Sequence, residues 1–89
     1  GAPRAAALTH LGMSRAAQGD LAAAERRMRA AVEAEPAFGP GWYELARVVL
    51  AARGAVAEAR GFLERASAHP ELLTPAQRAQ LGALRGQLP

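Results

Sequence analysis

Any catalysis in this chain would start from His10. Ser14 stands one helical turn away, and a Ser–His pair at i, i+4 has the spacing of a nucleophile and its base. The pair has no orienting acid and no source of oxyanion donors beside it, so both are expected to be ordinary surface residues. His69 lies far along the chain beside Glu71 and is expected to be a helix-end or turn residue. Without Cys there is no thiolate nucleophile, no Cys-based zinc site and no disulfide framework. No carboxylate cluster stands at ligand spacing from either His. No metal, no cofactor and no enzymatic activity are therefore expected. Gly39-Pro40-Gly41 contains proline and leads to no Lys or Thr, so it reads as a hinge and not as a phosphate-cradling loop.

Charge offers a second kind of chemistry. The net charge is +3, carried by Arg with no Lys, and the pI is near 11. Arg26, Arg27 and Arg29 form the densest basic cluster and could contact phosphates. However, Glu25, Arg29 and Glu33 follow one another at i, i+4, i+8, and Arg60 is matched by Glu64, so these arginines are bracketed on their own helix faces. Residues 5–38 and residues 39–72 each carry four Arg and four acids, which leaves the surplus to Arg4, Arg78 and Arg85 near the ends. An Arg-mediated nucleic-acid contact module is thus the alternative function, ranked below the principal one. No apolar run approaches the roughly 18 residues of a membrane span.

The elements that would position these side chains are helices. Ala supplies 24 residues, and together with Leu, Arg and Glu it favours helix, whereas Ile is absent. An all-α fold of a single domain over residues 1–89 is expected. On mass scaling, a chain this size buries about 63% of its unfolded surface, so the core is small. Pro and Gly divide the sequence into five helical stretches: Pro3 to Gln18, Leu21 to Glu35, Trp42 to Arg53, Ala55 to Ala68 and Thr74 to Leu88. Asp20 is placed to cap the second, and Thr74-Pro75 with Gln77 forms a capping box for the fifth. Gly19 and Gly54 suit left-handed helix ends. Apolar stripes are expected to be core faces: Leu8, Leu11 and Arg15; Leu21, Ala24, Met28, Ala31 and Val32; Val56, Ala59, Leu63 and Ala66; Leu81, Leu84 and Leu88.

One unit is written twice. Leu8-Leu11-Gly12-Gly19-Ala24-Met28-Ala31-Pro36 aligns with Trp42-Leu45-Ala46-Gly54-Ala59-Leu63-Ala66-Pro70, with a 34-residue period from Leu8 to Trp42 and from Pro36 to Pro70. Over about residues 5–70 the chain resembles the tetratricopeptide repeat family. The second unit departs from the first by one extra residue between Leu45 and Gly54 and one fewer between Ala66 and Pro70. The resemblance implies antiparallel helix-turn-helix units in a right-handed superhelical array. Repeat 1 would span about 5–38, repeat 2 about 39–72, and a capping helix about 74–88. The Leu8 end has no comparable cap, so either further helices precede Gly1 or this end self-associates. The absence of an initiator Met fits a processed product or a piece of a longer protein.

What the resemblance implies about function is a non-catalytic scaffold or adaptor, with a peptide or helix of a protein partner held in a concave groove. Carried over position by position, that groove comprises Thr9, Met13 and Ala16 from the first unit with Tyr43, Arg47 and Leu50 from the second. Met adapts its shape, Tyr offers a ring with a polar tip, and Arg holds carboxylates. Family members that clamp the terminal carboxylate of chaperones use Lys and Asn. Neither residue occurs here, and Thr9, Met13 and Glu44 stand at the matching positions. The Arg-only, Ala-rich composition fits a GC-rich bacterium, and a cytoplasmic location is expected.

Overall fold

Side-chain caps start two of the helices, and glycines end two others. A computed structural model describes residues 2–89, which form five α-helices and no strand. These are α1 (Ala2–Ala17), α2 (Leu21–Ala34), α3 (Gly39–Arg53), α4 (Val56–Ala68) and α5 (Pro75–Gln87). Asp20 Oδ1 accepts the Ala23 N–H at 3.1 Å at the head of α2. At the head of α5, Thr74 Oγ1 accepts the Gln77 N–H while Gln77 Oε1 accepts the Thr74 N–H, the reciprocal arrangement expected there. Gly19 and Gly54 turn the chain out of the first helix of each unit at φ of 85° and 60°.

The segment expected to be a hinge is instead the first turn of α3. Pro40 sits where a helix needs no amide donor, and Gly39 packs against the exit of α4. A Cβ on Gly39 would lie 2.0 Å from the carbonyl oxygen of His69. Glycine at this position reflects a close approach of two backbones, not flexibility.

Small residues set the spacing of the helices. A Cβ on Gly12 of α1 would stand 2.9 Å from Met28 Cγ and 3.1 Å from the Ala24 carbonyl of α2. In the second unit Ala46 of α3 is fully buried with Ala59 and Leu63 of α4. One apolar cluster then runs from Met28 and Val32 through Trp42, Leu45 and Val49 to Leu63, Leu73 and Leu81, and α5 closes it with Leu84 and Leu88. Tyr43 donates its hydroxyl proton to Gln80 Oε1, and Arg85 Nη1 donates to Ser67 Oγ at 3.0 Å, which ties α5 to α3 and α4.

The Leu8, Leu11 and Arg15 stripe is not a core face. Leu11 is 39% exposed, whereas its counterpart Leu45 is 0% exposed. Leu45 lies between the second helices of two units, and Leu11 has such a helix on one side only. The buried side of α1 is formed by Ala5, Thr9 and Gly12.

Two glycine substitutions test this packing. Gly39→Ala should lower unfolding free energy by about 3 kcal/mol, near the upper end for overpacking. Gly82→Ala, in α5 with nothing within 4 Å of the added methyl, should raise it by about 0.5–1 kcal/mol. Urea denaturation of both variants checks the pair; a Gly39→Ala midpoint equal to that of the parent would contradict the close approach.

Candidate partner-binding groove

The first helices of the two units, α1 and α3, run side by side, and an open cleft of ≈ 350 Å³ lies between them. Its α3 wall is Glu44, Arg47, Val48 and Ala51, an i, i+3, i+4, i+7 set that shares one helix face. Met13, Ala16 and Ala17 form the α1 wall, and Leu21 and Met28 reach in from α2. The cleft thus combines apolar side chains from α1, α2 and α3 with one charged pair on the α3 side, and its surface is as polar as it is apolar.

That pair is asymmetric. Glu44 is only 5% exposed, while Arg47 reaches out and donates from Nη1 to Glu44 Oε1 at 3.0 Å. The same guanidinium lies 5.7 Å from the centre of the Tyr43 ring. Burial pushes the Glu44 carboxyl above its ordinary range, and the positive charges of Arg47 and His10 only partly offset this. Most of Arg47 remains in solvent and is free to meet a second carboxylate.

Of the six residues expected in the groove, Met13, Ala16 and Arg47 line the cleft. Thr9 does not: it is 4% exposed, and its Oγ1 donates to the Ala5 carbonyl at 2.8 Å within α1. Tyr43 is 2% exposed and belongs to the core, and Leu50 packs against that core half-buried. The cause is the placement of α5, which covers the Tyr43 side of α3 and rotates the open face to Glu44, Val48 and Ala51. A surface role for Tyr43 is therefore corrected to a structural one. Glu44, Val48 and Ala51 were missed, although their spacing with Arg47 is a helical stripe in its own right.

The basic cluster is divided by the fold. Arg29 donates to Glu25 Oε2 at 3.0 Å and to Glu58 Oε2 at 3.0 Å, and Arg53 meets the same two carboxylates. Burial raises Glu25, but the hydrogen bonds from Arg53 and Arg29 outweigh it and hold the carboxyl below its usual range; Glu58 is lowered by the same two partners. This four-residue network joins α2, α3 and α4 across the boundary between units. Arg26 and Arg27 lie elsewhere, in a cleft with Arg15. His10 lines a shallow apolar recess with Phe38 and Pro40, and no hydrogen bond joins it to Ser14 among the described residues. No helix is long and apolar enough to cross a membrane among the described residues.

A family model for the tetratricopeptide repeat matches residues 15–88. The chain belongs to the tetratricopeptide repeat family. No curated protein and no solved structure gives a significant match. The family match extends beyond Pro70 through α5, so the helix that closes the core falls within the matched stretch of this tetratricopeptide repeat chain. Such repeats generally mediate protein–protein interaction and are typically non-catalytic.

Two substitutions separate framework from groove. Tyr43→Ala should destabilise by about 3–5 kcal/mol, the loss expected for a buried aromatic side chain, which thermal unfolding by circular dichroism would show. Glu44 behaves oppositely. Its raised carboxyl binds a proton more tightly in the folded than in the unfolded chain, so its contribution to stability falls as pH rises through and above the ordinary carboxylate range. Glu44→Gln should therefore melt at a higher temperature than the parent at about pH 7, with the difference shrinking towards about pH 4. An unchanging difference across that range would refute the burial of the charge.

Proposed function

We propose that the α1–α3 cleft binds a peptide or helix of a protein partner, with an apolar side chain between Met13 and Val48 and a carboxylate on Arg47. The chain then serves as a non-catalytic scaffold or adaptor, within a larger protein or array. The observation that carries this is the composition of the cleft. Both units contribute to one open trough of mixed polar and apolar surface, in which apolar side chains stand beside an exposed arginine held in place by a buried glutamate. Met13 is 38% exposed on one wall, where an adaptable thioether can fit varied apolar partners. The buried end of the Glu44–Arg47 pair fixes where the guanidinium stands, which lowers the entropy lost when it engages a ligand. The proposal includes a cytoplasmic location.

Selection from a random peptide library on the immobilised protein tests the assignment. Enriched peptides should pair a large apolar residue with Asp or Glu a few positions away. The same selection on Arg47→Gln should lose those acids, and the variant should keep the parent's circular dichroism spectrum but melt at a lower temperature, because Glu44 stays buried without its charge partner. Identical enriched sequences from both proteins, or none from either, would defeat the proposal.

A further inference from the structure

Two arginine–carboxylate clusters in this chain differ in charge balance. In the network that joins α2, α3 and α4, Glu25 and Glu58 share Arg29 and Arg53, so two acids meet two cations, each contact at 2.9 or 3.0 Å. Although burial raises Glu25, hydrogen bonds from the two arginines hold both carboxyls below their ordinary range. The α1–α3 cleft sets one acid against one cation: buried Glu44 meets exposed Arg47 at 3.0 Å. No second arginine lines this cleft among the described residues.

Few titratable groups act on Glu44. On its own helix, Arg47 is the ion-pair partner, and Tyr43 is kept neutral by burial while its hydroxyl donates to Gln80 of α5. His10 of α1 is the other basic group whose charge reaches Glu44. From α2 the cleft receives Leu21 and Met28, which carry no charge. A ligand anion on Arg47 therefore places two anions on one guanidinium. Like charges that share a site raise each other's proton affinity, and the less hydrated group takes the proton. Here that group is Glu44, which burial already lifts above the ordinary carboxylate range.

We propose that Glu44 couples the α1–α3 cleft to pH: an anionic side chain that binds at Arg47 is accompanied by uptake of one proton at Glu44, so the cleft holds acidic partners more tightly as pH falls. This rests on the reading that an acid of the partner meets Arg47. The proton comes from solvent and no other bond changes. Neutral Glu44 still accepts from Arg47 through its carbonyl oxygen, so the guanidinium keeps its place while its charge turns wholly to the ligand. The protonated cleft is the tighter-binding form, and affinity therefore declines as pH rises through the range in which Glu44 ionises. The network at Arg29 and Arg53 is already balanced and shows no such coupling.

The probe is a labelled, end-capped peptide of Ala and Gln that carries one Leu and, one helical turn later, cysteic acid, whose sulfonate keeps its charge at every pH used. Its control has Gln in place of the cysteic acid. Fluorescence anisotropy on the intact protein should show the sulfonate peptide binding about fivefold tighter at about pH 5.5 than at about pH 7.5, with no comparable change for the control. Glu44→Gln should bind the sulfonate peptide at both pH values about as tightly as the parent does at the lower one. His10→Gln, which removes the neighbouring imidazole, should keep the pH dependence. On the parent itself, carboxyl-carbon NMR should show Glu44 titrating at higher pH with the sulfonate peptide bound than with the control. Equal binding of the sulfonate peptide at both pH values, or an unmoved Glu44 titration, would overturn the coupling and leave Arg47 as the anion site. A dependence that survives Glu44→Gln and is lost in His10→Gln would overturn it in favour of His10. A sulfonate peptide that binds no better than the control at either pH would overturn the anion site and the coupling together.

Discussion

Everything in this domain depends on how closely its helices approach. With over half of its apolar residues being Ala, the chain has too few large side chains to fill wide gaps between helices. Backbones must come near one another for the available Leu, Met and aromatic groups to make a continuous core. Gly12 against Ala24 and Met28 does this in the first unit, Ala46 against Ala59 and Leu63 in the second, and Gly39 against the His69 carbonyl where the second unit doubles back. A larger residue at any of these points holds two helices apart and opens space that the neighbouring alanines cannot refill.

Close packing also decides where polar groups end up. Because α1 and α3 lie near each other, Glu44 is carried into the floor of the cleft and loses hydration, and Arg47 compensates from its exposed side. An ion pair with only its carboxylate buried contributes little net stability, since desolvation of Glu44 opposes an attraction that solvent screens at Arg47. It is better understood as a positioning device. On the opposite side of the unit boundary, Glu25, Arg29, Arg53 and Glu58 satisfy one another in a more exposed network, where the attraction is screened and orientation is again the main effect.

Local chemistry was legible in the sequence; contacts made at a distance were not. Asp20, Thr74, Gly19 and Gly54 act on backbone groups within a few residues, so their roles follow from neighbouring letters alone. Gly39 looked like part of a hinge because the carbonyl that demands glycine there belongs to His69, thirty residues later. Tyr43 was expected in the groove because the family resemblance places its position there, and only the position of α5 shows it covered. Glu44 carried no sign of burial, since a glutamate on a helix is ordinarily solvated. Leu11 and Leu45 illustrate the limit most directly. They share residue type, repeat position and periodicity, yet one is exposed and the other buried. Periodicity identifies a face suited to packing, while its environment depends on whether a neighbouring helix is there.

That difference bears on α1 as a whole. Among the described residues its buried side consists of Ala5, Thr9 and Gly12, and it meets the main apolar cluster through Gly12, which sits against Ala24 and Met28, and through half-buried Ala16. Its larger apolar side chains, Leu8, Leu11 and Met13, point away from the deepest packing and are half-buried or exposed. The helix therefore has less apolar burial holding it than any element from α2 to α4, and it forms one wall of the α1–α3 cleft. A ligand seated in that cleft would add contacts that exist only while α1 is docked, and by mass action would favour the docked state. Small residues let α1 approach closely while its largest side chains stay half-buried or exposed, so the helix is held by close backbone packing against α2 more than by apolar bulk.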